Sequence, residues 1–156
     1  MNLEALIEKL GLSLLPMEGG YFAETYRAAD GSSTAIYYLL TPDTFSAMHR
    51  LASDEVFHFY TGDPVEMPRL FPDGSHEIAV IGSDVLAGQR PQVVVPKGVW
   101  QGSRLVSGGE YALMGTTVAP AFHYEHYEHG DRDSLIAQYP DCAELIAVLS
   151  RSNTST

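Results

Sequence analysis

Ionisable side chains standing alone on otherwise apolar faces are where this sequence offers chemistry. In "TFSAMHRL" (44–51), period-two alternation puts Phe45, Ala47, His49 and Leu51 on one face, apolar apart from His49. In "DEVFHFYTG" (54–62), Glu55, Phe57 and Phe59 share one face while Val56, His58 and Tyr60 take the other. A carboxyl and an imidazole at the heads of buried faces on hairpin-linked strands point to one shared cavity. There the carboxyl pKa is raised and the imidazole beside it is oriented and made more basic, a general-base arrangement. The same two residues also read as a satisfied buried pair, which composition alone favours. Tyr38 alternates with Thr34, Ile36 and Leu40, so its hydroxyl is either an acid facing the cavity or a hydrogen-bonded core phenol.

A second cluster is more conspicuous. "HYEHYEHG" (123–130) spaces His123, His126 and His129 three apart, with Glu125 and Glu128 between them. On a strand, His123, Glu125, Tyr127 and His129 share a face and His126 points away; on a helix the three imidazoles spread around the axis. Neither geometry converges on one ion, so the stretch is expected to be a solvated connection. There is no phosphate loop, no G-x-S-x-G and no Cys–His nucleophile signature.

The elements that carry these residues are mostly strands. Residues 2–10 read as a short helix, with Asn2 as cap, Leu3, Leu6, Ile7 and Leu10 as an apolar stripe and Gly11 as stop. Period two then holds for most of 20–119, in nine candidate strands: 20–28, 34–41, 44–51, 54–62, 64–71, 76–82, 91–96, 99–106 and 110–119. Turn signals such as "ADGSS", "PDGS", "PKG" and "SGGE" separate them. Helical spacing returns over 131–150, divided by Pro140, and "SNTST" reads as a frayed tail. The whole predicts a mainly all-β antiparallel barrel or jelly roll with short helices at both ends, one domain over 1–156. Such barrels hold small ligands at their mouths.

Twenty acids against nine bases give a net charge of −11, without a local Lys/Arg cluster, which argues against nucleic acid. The lone Cys142 fits a reducing compartment. Acids at Glu4 and Glu8 argue against a signal peptide, and no apolar run approaches a membrane span. A cytoplasmic protein that does not engage membranes is expected. The outward set Val56, Tyr60 and Trp100 is apolar, and jelly rolls leave sheet edges to protect, so a homodimer is expected.

Residues 49–62, "HRLASDEVFHFYTG", resemble the first cupin motif, H-x-H-x3-E-x6-G, with His49, Glu55 and Gly62 in register and Leu51 at the second histidine. "PKGVWQ" (96–101) resembles the second motif, P-x-G-x2-H, with Gln101 at the histidine position. "EGGYFAETYR", "VVVPKGVWQG" and "TTVAPAFHYEHYE" extend the likeness to a branch of single-domain cupins of unassigned function. The resemblance implies the cupin jelly roll and a pocket containing both His49 and Glu55. Metal-binding cupins use three His and one Glu. With Leu51 and Gln101 in two of those places, no metal and no cofactor are expected, a weak site at His49, Glu55 and Gln101 being the alternative. "GGYFAETY" (19–26) is similar to the opening strand of dTDP-deoxysugar 3,5-epimerases, which are metal-free cupins. That likeness implies that Phe22 and Glu24 touch a substrate's nucleotide end, although the motif's Arg is Gly19 here; ordinary strand residues near an edge are the equal alternative. Together these give a small polar ligand among Phe22, Glu24, Tyr38, Phe57 and Gln101, with His49 as base and Glu55 orienting it. The activity implied is a sugar or sugar-nucleotide isomerase or epimerase; the alternatives are a binder without catalysis and a weakly metal-dependent enzyme. In such cupins the N-terminal strand commonly joins a partner's sheet.

Overall fold

The computed structural model describes residues 1–151; the expected tail, 152–156, lies outside the described residues. Helix α1 (Leu3–Leu10) forms as its signals dictate: the Asn2 side chain accepts the Ala5 N–H, and Gly11 turns left-handed at φ 66°. Its Leu6, Ile7 and Leu10 pack with Leu12, Leu39 and Leu113 on the outside of a sheet. All nine expected strands are present, as β2 (Tyr21–Arg27), β3 (Thr34–Leu40), β4 (Ser46–Leu51), β5 (Asp54–Gly62), β6 (Val65–Leu70), β7 (His76–Ile81), β8 (Gln92–Val95), β9 (Trp100–Leu105) and β10 (Ala112–Ala119). Two short strands were not foreseen, β1 (Ser13–Leu14) and β11 (Tyr127–His129).

The strands form two antiparallel sheets, ordered β1-β2-β3-β10-β5-β8 and β11-β4-β9-β6-β7. Between them lies a core that includes Tyr38, Phe57, Met67, Ile81 and Met114. The expected 131–150 helices are α2 (Arg132–Gln138) and α3 (Ala143–Val148), joined by a 3-10 turn at Pro140–Cys142. They cover the outside of the second sheet, where Leu135, Ile146 and Leu149 pack with Met48, Phe45 and Trp100. This is the jelly-roll barrel with terminal helices that the turn-separated strands imply. No described helix is long and apolar enough to cross a membrane.

Two departures from regular pairing position the site. Strand β4 pairs Ser46 with Ser103 and then His49 with Gln101, three steps against two. The bulge puts Ser46 and His49 on the same inner face. The displaced backbone is satisfied: Ala47 N–H donates to the Glu18 carbonyl, and Met48 N–H donates to the Leu149 carbonyl. The strict alternation of Phe45, Ala47, His49 and Leu51 is therefore corrected, since Phe45 packs outside under the helices. Strand β2 likewise pairs Glu24 with Ile36 and Tyr26 with Ala35, leaving Thr25 as the extra residue. Glu24 and Arg27, which regular alternation would separate, both line the inner cavity.

Candidate functional site

A cavity of about 240 Å³ opens at the end of the barrel bounded by β2, β3, β5 and β10. Its walls are mainly apolar, with Leu15, Phe22, Ile36, Leu51 and Val118; Glu18, Tyr38, Glu55 and Thr116 supply the polar groups, and Glu24, Arg27 and the 122–124 segment join them in the lining.

Glu55 is 7% exposed. Gln101, facing His49 across β4 and β9, donates from Nε2 to Glu55 Oε1 at 2.8 Å, and the Thr116 hydroxyl adds a second hydrogen bond. Burial, then the neighbouring Glu18 charge, raises the Glu55 carboxyl to about 7.

Glu18 is the residue that sequence reasoning missed. It sits in the loop between β1 and β2, where Gly19 and Gly20 adopt φ of 97° and 82°. A Cβ on Gly20 would lie 2.6 Å from the Tyr38 hydroxyl oxygen, so the glycine lets the loop press onto the barrel and turn Glu18 inward. The Ser46 hydroxyl donates to Glu18 Oε2 at 3.2 Å, and the Tyr38 hydroxyl donates to the Gly19 carbonyl at 2.5 Å. Burial lifts the Glu18 carboxyl to about 7, against the lowering effect of the neighbouring Tyr38 and Ser46 hydroxyls. The same burial, with the Glu18 charge beside it, holds the Tyr38 phenol well above its ordinary range. A Glu-Gly-Gly run at the head of a strand was the available signal.

His49 lies behind this floor, 1% exposed, and is absent from the cavity lining. Its Nδ1 is 2.7 Å from the Ala47 carbonyl, which fixes that nitrogen as the donor. Nε2 therefore faces Glu18 Oε1, at 3.6 Å, too long for a direct hydrogen bond. Burial pushes the imidazole down, opposed by the Glu55 charge and the Ala47 bond. Among the described residues, the ion-pair neighbour of His49 is Glu18, and Gln101 connects the His49 strand to Glu55.

The structure brings Phe22, Glu24, Tyr38 and Glu55 to the cavity wall. Gln101 is 1% exposed, like His49, and Phe57 lies in the inter-sheet core; neither lines the cavity. Arg27, unforeseen, pairs with Glu24 through two hydrogen bonds of 2.8 and 3.2 Å and also donates to the Phe122 carbonyl.

The 123–129 stretch is not merely a solvated connection. Tyr127 and His129 pair with β4 opposite Leu51 and His49. Tyr127 stacks on the His49 ring at 5.2 Å, its hydroxyl is 3.0 Å from His129 Nδ1, and His123 and Tyr124 line the cavity. The segment closes the end of the second sheet against β4, a long-range pairing that local spacing does not encode.

The donor set fits a transition metal poorly. His49 offers Nε2 alone, since Nδ1 is engaged with the Ala47 carbonyl; Gln101 turns its NH₂ toward Glu55, and Leu51 offers no ligand. Among the described residues no three His, Cys, Asp or Glu side chains are grouped to hold an ion.

Two sheets in this order, with an inward His and Glu on β4 and β5, define a cupin. The chain belongs to the cupin superfamily, matching over residues 4–130 the family described as Cupin superfamily (DUF985). It is 34% identical to protein SO0799 from Shewanella oneidensis, with a TM-score of 0.89 over 98% of this chain and 99% of that one. A hypothetical protein from Leishmania major is 29% identical, with a TM-score of 0.88 over 96% and 98% of the two chains. The uncharacterized protein YML079W of Saccharomyces cerevisiae is 29% identical over 133 residues, 70% of this chain and 66% of that protein's length. These relatives carry the family and the fold; their names specify no substrate.

Proposed function

We propose that this protein binds a small polar organic molecule in the barrel cavity and moves a proton on it without a metal, as an isomerase or epimerase. One observation carries this reading: two carboxyls poised near neutrality, Glu18 and Glu55, line the same mainly apolar cavity. A general acid or base works best when its pKa lies near the working pH. Glu18, which lines the cavity, takes the proton and returns it. His49, held behind it in one tautomer with Nε2 3.6 Å from Glu18 Oε1, is a positioning residue. Glu55, braced by Gln101 and Thr116, holds the polar end of the ligand. A one-base isomerisation needs only Glu18; an epimerisation uses Glu55 as the second group.

The sugar-nucleotide version receives less support. Among the described residues, Arg27 is the only Lys or Arg in the lining, and Glu24 already neutralises it, which leaves a diphosphate no free cation there. The experiment is proton exchange: small hydroxy- and amino-carbonyl compounds are incubated with the protein in D₂O and followed by NMR. Deuterium should enter beside the carbonyl, and Glu18→Gln should slow entry by roughly 10²–10⁴-fold while the melt persists. Exchange at the same rate in Glu18→Gln would refute the base assignment. A ligand that binds without exchange would make this a binding protein.

A further inference from the structure

We infer that the cavity's ligand carries a cationic nitrogen, a primary ammonium on a small apolar body, and that it seats on Glu55. The inference rests on the reading of this cavity as the ligand site and gives Glu55 the anchoring role, leaving Glu18 with His49 to handle the proton.

The floor has an excess of acceptors. Glu18 and Glu55 bring four carboxyl oxygens, and the donors around them are already engaged: Ser46 with Glu18, Gln101 Nε2 with Glu55, and Tyr38 with the Gly19 carbonyl. Gln101 lies behind Glu55, outside the cavity lining, and gives that carboxyl a single N–H donor. Buried carboxyl oxygens that face an apolar cavity with few free donors call for a group rich in N–H. An ammonium has three donors and a charge; a hydroxyl has one donor, and a carboxylate has none.

The cations already in the protein do not answer this need. Arg27 is spent on Glu24 and the Phe122 carbonyl. Arg151 donates to the Met17 and Glu18 carbonyls and lies over the Phe45 ring. His49 is driven toward its neutral form by burial. The groups acting on Glu55 are thus Glu18, His49, Gln101 and Thr116, and none supplies a fixed positive charge. The wall and mouth add the aromatic faces of Phe22, Phe122 and Tyr124, which attract organic cations. The net charge of −11 draws a cation toward the protein.

The test uses three probes of one shape, benzylamine, benzyl alcohol and benzoate, titrated calorimetrically into the full-length protein. Benzylamine should bind at least about tenfold more tightly than benzyl alcohol, and benzoate should not bind measurably. Protons compete for the same carboxyl, so amine affinity should fall about tenfold or more from about pH 8 to about pH 5.5, and binding near neutral pH should release protons into the buffer. Glu55→Gln should abolish amine binding while keeping a cooperative melt. If that variant fails to fold, the pH dependence and the ranking of the three probes still decide. Alcohol or benzoate binding as tightly as the amine, or an affinity indifferent to pH, would overturn the cation. So would the absence of any amine binding. Deuterium exchange in Glu18→Gln is read separately, so these results leave the proton-transfer assignment to its own experiment.

Discussion

At the scale of single residues, the site depends on where charge is tolerated. Glu18 and Glu55 are raised to about 7 in the fold, whereas an unfolded chain titrates them near 4.3. The folded state therefore holds more protons between those values. Their contribution is greatest when both are protonated and is lost as pH rises through about 7. His49 has the opposite sign: its lowered pKa makes the fold release a proton, so its contribution grows as pH rises toward about 6.5. The melting temperature should fall between about pH 4.5 and about pH 7, because two carboxyls outweigh the one imidazole there, and level off above; the Glu18→Gln, Glu55→Gln double variant should flatten that fall and melt higher at and above about pH 7. Scanning calorimetry across this range checks it; parallel profiles for the two proteins would place the carboxyls outside the stability balance. If Glu55 were instead a structural half of a buried pair, the single Glu55→Gln change would cost roughly 3–5 kcal/mol at every pH.

At the scale of elements, irregularities do the aiming. Each of the two bulges turns an i, i+3 pair onto one face: Ser46 with His49, and Glu24 with Arg27. The loop before β2 contributes Glu18 only because Gly19 and Gly20 allow a close, left-handed approach. Replacing Gly20 with Ala should lower stability by about 1–3 kcal/mol and displace the Tyr38 ring, because the new Cβ meets that ring within 3 Å. Gly31→Ala is the comparison: it has a positive φ of 75° but open space around it, so its cost should stay near about 1 kcal/mol. Urea unfolding measures both. Equal costs for the two variants would mean that the loop shifts freely and that Glu18 is not held by this contact.

At the scale of the molecule, the outer face of the six-stranded sheet is the feature left uncovered. Helix α1 shields Leu39 and Leu113, but Tyr60 and Val94 remain 53% and 50% exposed. Val56 belongs to the same outward set; Trp100, expected alongside it, is covered by the C-terminal helices. Tyr60 bends across Gly115, where a Cβ would collide with its ring, and meets Tyr37 edge-on at 6.3 Å. A second copy of the chain is the proposed cover for this face, and the short edge strands β1 and β8 flank it. Multi-angle light scattering should report a dimer at micromolar concentration, and Tyr60→Glu with Val94→Lys should shift it toward monomer. A monomer in the unmodified protein would end that proposal.

The sequence by itself determined the strands, the terminal helices and the two inward groups His49 and Glu55. Period-two hydrophobicity, glycine-rich turns and helix caps are local signals, and local signals survive without tertiary context. Phe22 and Glu24, which both line the cavity, were named only through the likeness to the epimerases, with ordinary edge-strand residues as the equal alternative. Tertiary structure decided the rest. Glu18 enters the cavity through a loop whose path depends on contacts with Tyr38 and Phe45. Arg27 faces inward because Thr25 is extruded as a bulge, and Tyr127 reaches His49 by pairing with a strand some 75 residues earlier. Phe57 and Gln101 share the inner faces expected of them, yet how far each lies from the cavity is set by the packing of the two sheets. A face is written in the alternation of residue types; depth, register and loop path follow from contacts between segments distant in the chain.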